Sequence, residues 1–285
     1  MDQPNPLRHD VAKGASTRFM WITPGRVFYG GLLGAPTLRR LGSWTLYFSC
    51  DTTLRLSIEA RGDAAWHEGR LAVVPPYRSH RLASAARHVC QILIEPETID
   101  VAGLNDPLRT AVQGDGMLDT AQPVLGGLLE RLCAARDRLA SQVDLLPADD
   151  VAFDALVFGT AAPKPALDPR IIAALETLKD DDNLDASAQE LADRARLSFH
   201  RFLHLFSNEV GVPLRTFRSW KRARGWLKYV TEDTNLTDIA LRIGYADSAH
   251  FSRSVRQIFG LQPKDFIAGC RRLALHREPR KPSEV

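Results

Sequence analysis

A duplicated pattern in the last third of this 285-residue chain constrains its fold more than any other feature. Glu190-Leu191-Ala192 matches Asp238-Ile239-Ala240 at an offset of 48, and past the following turn the offset becomes 49. Ser198 then faces Asp247, Phe202 faces Phe251, and Gly211 faces Gly260, with Pro213 and Pro263 after the two glycines. Self-similarity of this kind marks two copies of one supersecondary unit. Each copy reads as a short helix (188–194 or 237–243) with a Leu-Ala or Ile-Ala pair for close packing. A turn with Arg196-Leu197 or Gly244-Tyr245 follows, and a second helix opens at Ser198 or Asp247. Ser and Asp suit an N-cap that accepts from an early backbone N–H. Gly211 and Gly260 suit a left-handed C-terminal stop. Helix, tight turn and capped second helix is the helix-turn-helix layout.

Between the copies, residues 214–232 read as one helix carrying Arg215, Arg218, Lys221, Arg222, Arg224 and Lys228. About 18 residues at 1.5 Å rise span about 27 Å. That approaches one DNA turn of about 34 Å, a spacer able to set both units into successive major grooves. Charge follows the same division. Residues 194–281 hold 18 Lys and Arg against 7 Asp and Glu, net +11, while the rest of the chain is net −8. A basic segment on an acidic partner points to a polyanion; a solvated Arg-rich surface is the plainer alternative.

Thr237-Asp-Ile-Ala240, Ile243-Gly-Tyr245, His250-Phe-Ser-Arg253 and Ile258-Phe-Gly-Leu-Gln-Pro263 resemble the C-terminal signature of AraC/XylS-family regulators. Glu190-Leu-Ala192, Leu197-Ser198, Leu205-Phe206 and Gly211-Val-Pro-Leu214 look like that family's first helix-turn-helix. The resemblance covers about 100 residues and implies binding to double-stranded promoter DNA, usually under small-molecule control. It also implies a homodimer, with RNA polymerase as an open further partner. By the same likeness Ser248, Ala249, His250 and Arg253 occupy positions that reach base edges, and the Arg fork can take guanine O6 and N7 together. In the first unit His200, Arg201, Leu203 and His204 are the candidates. Leu203 and His204 depart from the family pattern, which has a polar residue and an Arg there, so this unit is read as positioning more than specifying. Arg215, Arg218, Lys221, Arg222, Arg224 and Arg256 are the candidates for phosphate neutralisation, which gives affinity without sequence information. For any one of them a solvated helix face is the alternative.

Residues 18–100 are β-rich. Apolar runs at 19–23, 26–29, 44–48, 54–58, 71–74 and 89–94 alternate with Pro24-Gly25, Gly30-Gly31, Arg61-Gly62-Asp63 and Pro75-Pro76, the spacing of an all-β sandwich or barrel. The expected fold is therefore multidomain, an N-terminal all-β cupin-like barrel with trailing helices plus a C-terminal all-α bihelical helix-turn-helix domain. Its expected parts are a sensor and dimerisation domain at 1–120 and a helical hairpin at 121–160. A linker at 161–167, the DNA-binding domain at 168–275 and a disordered tail at 276–285 complete it. Leu125, Leu128, Leu129, Leu132 and Leu139 form a helical stripe, which packs on its own domain or serves a dimer contact. Gly69, Pro75, Tyr77 and His80 loosely resemble the second cupin motif, but the first motif's paired histidines are missing and only His67 lies upstream. No metal, no cofactor and no catalytic residue is expected, and a cupin enzyme is the reading set against the regulator. A constitutive dimeric regulator without a ligand is the third reading. The effector site is unassigned; Trp21, Phe28, Tyr29, Trp44 and Trp66 either line it or fill the core. Cys50, Cys90, Cys133 and Cys270 show no paired spacing and read as reduced thiols. No apolar run reaches 18 residues and the start Met1-Asp2-Gln3-Pro4 has no signal-peptide character. No membrane partner is expected, and the cytoplasm is the expected location.

Overall fold

All six apolar runs become strands in the computed structural model, which describes residues 18–59, 65–141, 146–178, 186–232, 235–270 and 273–277. The strands are β1 (Phe19–Ile22), β2 (Arg26–Leu32), β3 (Trp44–Phe48), β4 (Leu54–Ile58), β5 (His67–Gly69), β6 (Leu71–Val74), β7 (His80–Ser84) and β8 (His88–Ile94). Helix α1 (Asp106–Val112), strand β9 (Gly116–Leu118) and helices α2 (Pro123–Ala140) and α3 (Asp150–Val157) follow. Seven strands make one sheet in the order β10-β1-β2-β8-β3-β6-β9, in which β10 is Ala274–His276; β5-β4-β7 make a second.

Side chains of successive strand residues point to opposite faces, and both faces of the large sheet are buried. One face sends Phe19, Trp21, Phe28, Leu46, Phe48, Ile92 and Ile94 against α1, α2 and α3. The other sends Met20, Val27, Tyr47, Val74, Val89 and Leu93 toward Leu54, Leu56 and Leu82 of the small sheet. This double burial is why most strands of the large sheet read as near-continuous apolar runs, whereas Leu54–Ile58 alternates. The leucine stripe of α2 lies in the first of these cores. Leu125, Leu128, Leu129, Leu132 and Leu139 are each 5% exposed or less, so of the two readings of this stripe, packing on its own domain is the one these side chains follow.

Cys50 and Cys133 are joined in a disulfide across 83 residues, with Cα atoms 5.7 Å apart. This corrects the reading of Cys50 and Cys133 as reduced thiols. Sequence spacing carries no signal here, because the packing of α2 on the sheet is what brings Cys133 to the end of β3. Cys90 is free and buried, and burial pushes its thiol up to about 12. The side chain of Cys270 and the tail beyond Arg277 lie outside the described residues.

The C-terminal part holds α4 (Pro169–Thr177), α5 (Ala188–Arg194), α6 (Phe199–Val210), α7 (Leu214–Gly225), α8 (Leu236–Arg242), α9 (Ser248–Phe259) and α10 (Pro263–Cys270). It is helical until β10, which leaves it and pairs in parallel with β1 through Phe19, Met20 and Trp21. The single long spacer helix expected over 214–232 is not formed. After Gly225 the backbone tightens into a 3-10 turn, Trp226–Tyr229, and the α-helix of 12 residues spans only about 18 Å. Trp226 explains the break. It is fully buried, its ring 4.8 Å from Phe266 and 5.8 Å from Phe251, a packing position that outweighs one more helical turn. Among the described residues no helix is long and apolar enough to cross a membrane.

The repeat is reproduced in backbone detail. Leu197 N donates to Ala192 O at 3.0 Å, and Tyr245 N to Ala240 O at 2.9 Å. The residue before each is left-handed: Arg196 at φ 54° and Gly244 at φ 77°. A side chain with a Cβ pays roughly 1–2 kcal/mol there, so the first turn carries strain that the second avoids. Gly244→Ala is expected to lower stability by about 1 kcal/mol, read as a shift in the urea midpoint at unchanged slope. Gly211 and Gly260, at φ 80° and 73°, close α6 and α9 as left-handed caps. Asp247 accepts from His250 N at 2.6 Å. Ser198 takes the equivalent extended position without making that bond.

Candidate nucleic-acid interface and interdomain pocket

Helix α9 turns Phe251, Val255 and Phe259 inward. Ala249, His250, Arg253 and Arg256 are exposed and Ser248 is half-buried. Positions 249, 250 and 253 lie within one turn of each other, so they share one face at the helix start. The backbone N–H of His250 holds the Asp247 carboxyl below its ordinary range, and the His250 ring stands edge-on to the buried Tyr245 at 5.1 Å. The N-terminal turn of α9 is thus fixed by a cap and a ring contact while its outer face stays open.

In the first unit α6 buries Phe202, Phe206 and Val210. His200, Arg201 and His204 are exposed, and His204 Nδ1 lies 3.3 Å from Asn208 Nδ2. Leu203 is half-buried against this unit's own core. That core is separate. Ile171, Leu175, Leu191, Phe202, Phe206 and Phe217 pack with one another, whereas the second unit's Ile239, Phe251, Val255 and Phe259 merge with the inner face of the large sheet.

The basic helix α7 divides. Arg215 is exposed, while Arg218 donates to Ala186 O and Arg222 is half-buried. Lys221 and Arg224, expected to meet phosphates, instead face the β domain, which corrects that assignment. Lys221 Nζ lies 2.9 Å from Glu95 Oε2 and 2.5 Å from Glu97 Oε1. Arg224 Nε lies 2.9 Å from Glu95 Oε1, and its Nη2 donates to Thr23 O and Arg26 O at 2.6 and 3.0 Å. Trp220 Nε1 donates to Glu95 Oε2 at 2.8 Å. The physical reason is the acidic pair Glu95-Pro96-Glu97 directly after β8, which meets α7 where the two domains touch. Burial pushes the Glu97 carboxyl up against the pull of Lys221. Burial alone would lower Lys221, but Glu95 and Glu97 outweigh it and hold the ammonium raised.

Residues 191–269 match a family model described as a helix-turn-helix domain. The arabinose operon regulatory protein of Escherichia coli K12 is 28% identical over 110 residues, covering 37% of each chain. The invasion protein InvF of Salmonella typhi is 29% identical over 69 residues, covering 24% of this chain and 32% of that one. The C-terminal domain is a helix-turn-helix domain. The chain spans little more than a third of the length of the arabinose regulator it matches. Among solved structures, ToxT of Vibrio cholerae O395 superposes with a TM-score of 0.50 at 11% identity over 87% of this chain and 99% of that one. That likeness concerns the fold: an N-terminal β domain followed by helices.

Where the second helix-turn-helix unit meets the large sheet lies a cavity of about 400 Å³. Met20, Leu33, Leu41 and Leu93 line it from the β domain, and Leu227, Phe259, Leu261 and Phe266 from the helix-turn-helix domain. Of the aromatic residues weighed from sequence, Tyr29 lines this cavity. Trp21 and Phe28 fill the opposite core with Trp44 packed against it, and Trp66 is exposed with the Arg55 guanidinium 5.3 Å over its ring. Arg39 is a lining residue that sequence reasoning missed, as it missed Glu95 and Glu97. Nothing local distinguishes a charged side chain on its way into a β domain from one on its surface.

His80 is fully buried. Its Nε2 lies 2.8 Å from Tyr47 Oη and its Nδ1 3.0 Å from Arg78 O. Among the described residues no group of three His, Cys, Asp or Glu side chains is placed to hold a metal. Burial pulls the imidazole down to about 3, with Arg39 adding to the effect. In an unfolded chain the group titrates near 6.5, so between that value and about 3 the folded state binds fewer protons. Stability from this group is present above pH 6.5 and is lost as pH falls toward the folded value. Urea unfolding at pH 7, 6 and 5 is expected to show a declining midpoint. His80→Asn should flatten that decline while lowering stability at pH 7.

Proposed function

We propose that this chain is a sequence-specific DNA-binding transcriptional regulator whose AraC-type domain reads promoter DNA and whose β domain senses a small molecule. The observation that carries this reading is the capped α9, which presents Ala249, His250 and Arg253 to solvent beside Ser248. A helix start of this kind, second in its unit, is the part that enters the major groove. Arg215, Arg256, Arg201, His200 and His204 serve as supporting contacts to phosphates and base edges, and Lys221 and Arg224 do not. The interdomain cavity is the effector site, because a ligand there touches both domains and so has differential contacts in the docked and undocked states. A homodimer and contact with RNA polymerase belong to the same reading, as does a cytoplasmic location, where the Cys50–Cys133 bond meets a reducing thiol pool. The functional division puts sensing in residues 1–120, the α2 and α3 hairpin with them, and DNA binding in 168–275.

The test is to incubate the purified chain with sheared genomic DNA, recover what binds at moderate salt and sequence it. Two enriched boxes about one helical turn apart are expected. One box alone would confine base reading to α9. Absence of enrichment with or without added metabolite extract would remove the regulator reading.

A further inference from the structure

The first helix-turn-helix carries an exposed aromatic ring that its own core does not use. We infer that Phe199 reads the methyl group of a thymine in one operator box, so that the two units read their boxes by different chemistry; the inference rests on the DNA-binding reading above and names what the first unit recognises. Phe199 is the first residue of α6 and is 38% exposed. Among the described residues the core of this unit gathers Ile171, Leu191, Phe202, Phe206 and Phe217, with Leu197 and Leu203 packed against it, and Phe199 belongs to neither group. Its ring stands edge-on to the exposed His200, with centroids 5.5 Å apart. A ring so placed forgoes part of the free energy of burial, and the fold of the unit does not account for it.

The internal repeat locates the ring. With Ser198 opposite Asp247, Phe199 takes the place that Ser248 holds at the start of α9. Cα–Cβ bonds tilt toward a helix's N-terminus, so the side chain of a first helical residue projects past the helix start. That start is the part of a recognition helix that contacts base edges in the major groove. The surroundings suit a polyanion. The first turn of α6 holds no acidic residue, and His200, Arg201 and His204 are exposed. Glu209, in the last turn, accepts from the backbone N–H of Asp168 at 2.7 Å. A phenyl ring offers a base edge neither donor nor acceptor. In the major groove thymine alone among the four bases presents a methyl group, and Phe is one of the side chains that meet it. A cytosine or a purine in that place would lose hydrogen bonds to water against the ring, a second source of discrimination. Arg253, by contrast, offers its fork to a guanine. The departure of Leu203 and His204 from the family pattern therefore does not leave the first unit without a base reader.

The test uses the full chain and the operator recovered by the DNA capture, with affinity read by fluorescence anisotropy at fixed salt. The box at which Arg253→Ala loses discrimination belongs to α9, and the other belongs to α6. Each thymine of the α6 box is replaced in turn by deoxyuridine, which removes the methyl group and keeps the base pair. At one position affinity is expected to fall about fourfold, the effect of burying one methyl-sized group. Cytosine at that position should weaken binding further, and cytosine methylated at the same ring position should recover part of the loss. Phe199→Ala and Phe199→Ser, the latter copying the second unit, should bind the thymine and deoxyuridine operators alike. Phe199→Leu should keep part of the preference, and Arg253→Ala all of it. Because Phe199 lies outside the core, all three Phe199 variants are expected to keep the urea midpoint of the unsubstituted chain. No deoxyuridine effect at any thymine of the α6 box, or a preference that survives in Phe199→Ala and Phe199→Ser, would overturn the inference. So would capture of a single box, read by α9. These outcomes leave the DNA-binding reading standing, whereas capture of no sequence at all removes both.

Discussion

Glu95→Ala is expected to destabilise the chain by about 3–5 kcal/mol, the range for removing one partner of a buried ion pair. Glu95 is 1% exposed and is met by Trp220, Lys221 and Arg224 together. Its loss takes away the carboxylate that Arg224, with a side chain 8% exposed, contacts and leaves Lys221, 17% exposed, with Glu97. Glu95→Gln keeps an acceptor for the indole but drops the charge, and should fall between wild type and Ala. Lys221→Met in the Glu95→Ala background should restore part of the loss, because it removes one of the stranded cations. The effect should also be directional in space. The first helix-turn-helix has its own core and should resist proteolysis unchanged, while cleavage around the 3-10 turn Trp226–Tyr229 should accelerate. A loss below about 1 kcal/mol would mean that water relaxes the network, and that the apolar contacts of Trp220 and Trp226 alone hold the domains together.

The elements most legible in the sequence were those whose signal is local. The repeat could be read because its caps, turn and glycine stops recur within a few residues of one another, and the backbone bonds of Leu197 and Tyr245 reproduce it. Strands such as Trp44–Phe48 and Leu71–Val74 could be read because double burial leaves apolar runs. β5, β7, β9 and β10 could not. Each is short, and His67-Glu-Gly69 or His80-Arg-Leu-Ala-Ser84 mixes charge with small residues, so only the partner strand makes it a strand. β10 exists because β1 offers an edge, which no pattern in Ala274-Leu-His276 reveals.

The capped, exposed start of α9 was legible for the same reason, and the partners of α7 were obscured for the opposite one. A basic helix reads identically whether its charges meet phosphate, water or a carboxylate, such as Glu95 for Lys221, 126 residues away. Lys221 and Arg224 are spoken for by Glu95, and only the fold brings them there. The disulfide between Cys50 and Cys133 and the buried Arg39 share that origin: each depends on a contact between segments far apart in sequence. The chain's chemistry therefore splits into a surface part, readable from spacing, and an interdomain part, readable only from the packed structure.

Arg253→Ala carries the largest expected effect on function. Arg253 is exposed on the second turn of α9, and on the proposed reading its fork takes one guanine by two bonds, worth about 1–3 kcal/mol of discrimination. Against the enriched operator, affinity should drop by roughly 5- to 150-fold at fixed salt. Against an operator with that base pair replaced, the same substitution should change little, since the contact is already lost there. Arg256→Ala and Arg215→Ala are the contrast. Each should weaken binding to both sequences alike and reduce the slope of log affinity against log salt by about 1. Fold is not at stake in any of the three, because these side chains are exposed, while α9 is held by Phe251, Val255 and Phe259 and α7 by Leu214, Phe217 and Trp220. If Arg253→Ala instead weakens all DNA equally, Arg253 is a phosphate contact, and base reading passes to His250 and Ala249. If it changes neither affinity nor discrimination, α9 is not the reading helix, and the exposed His200, Arg201 and His204 of the first unit become the residues to test.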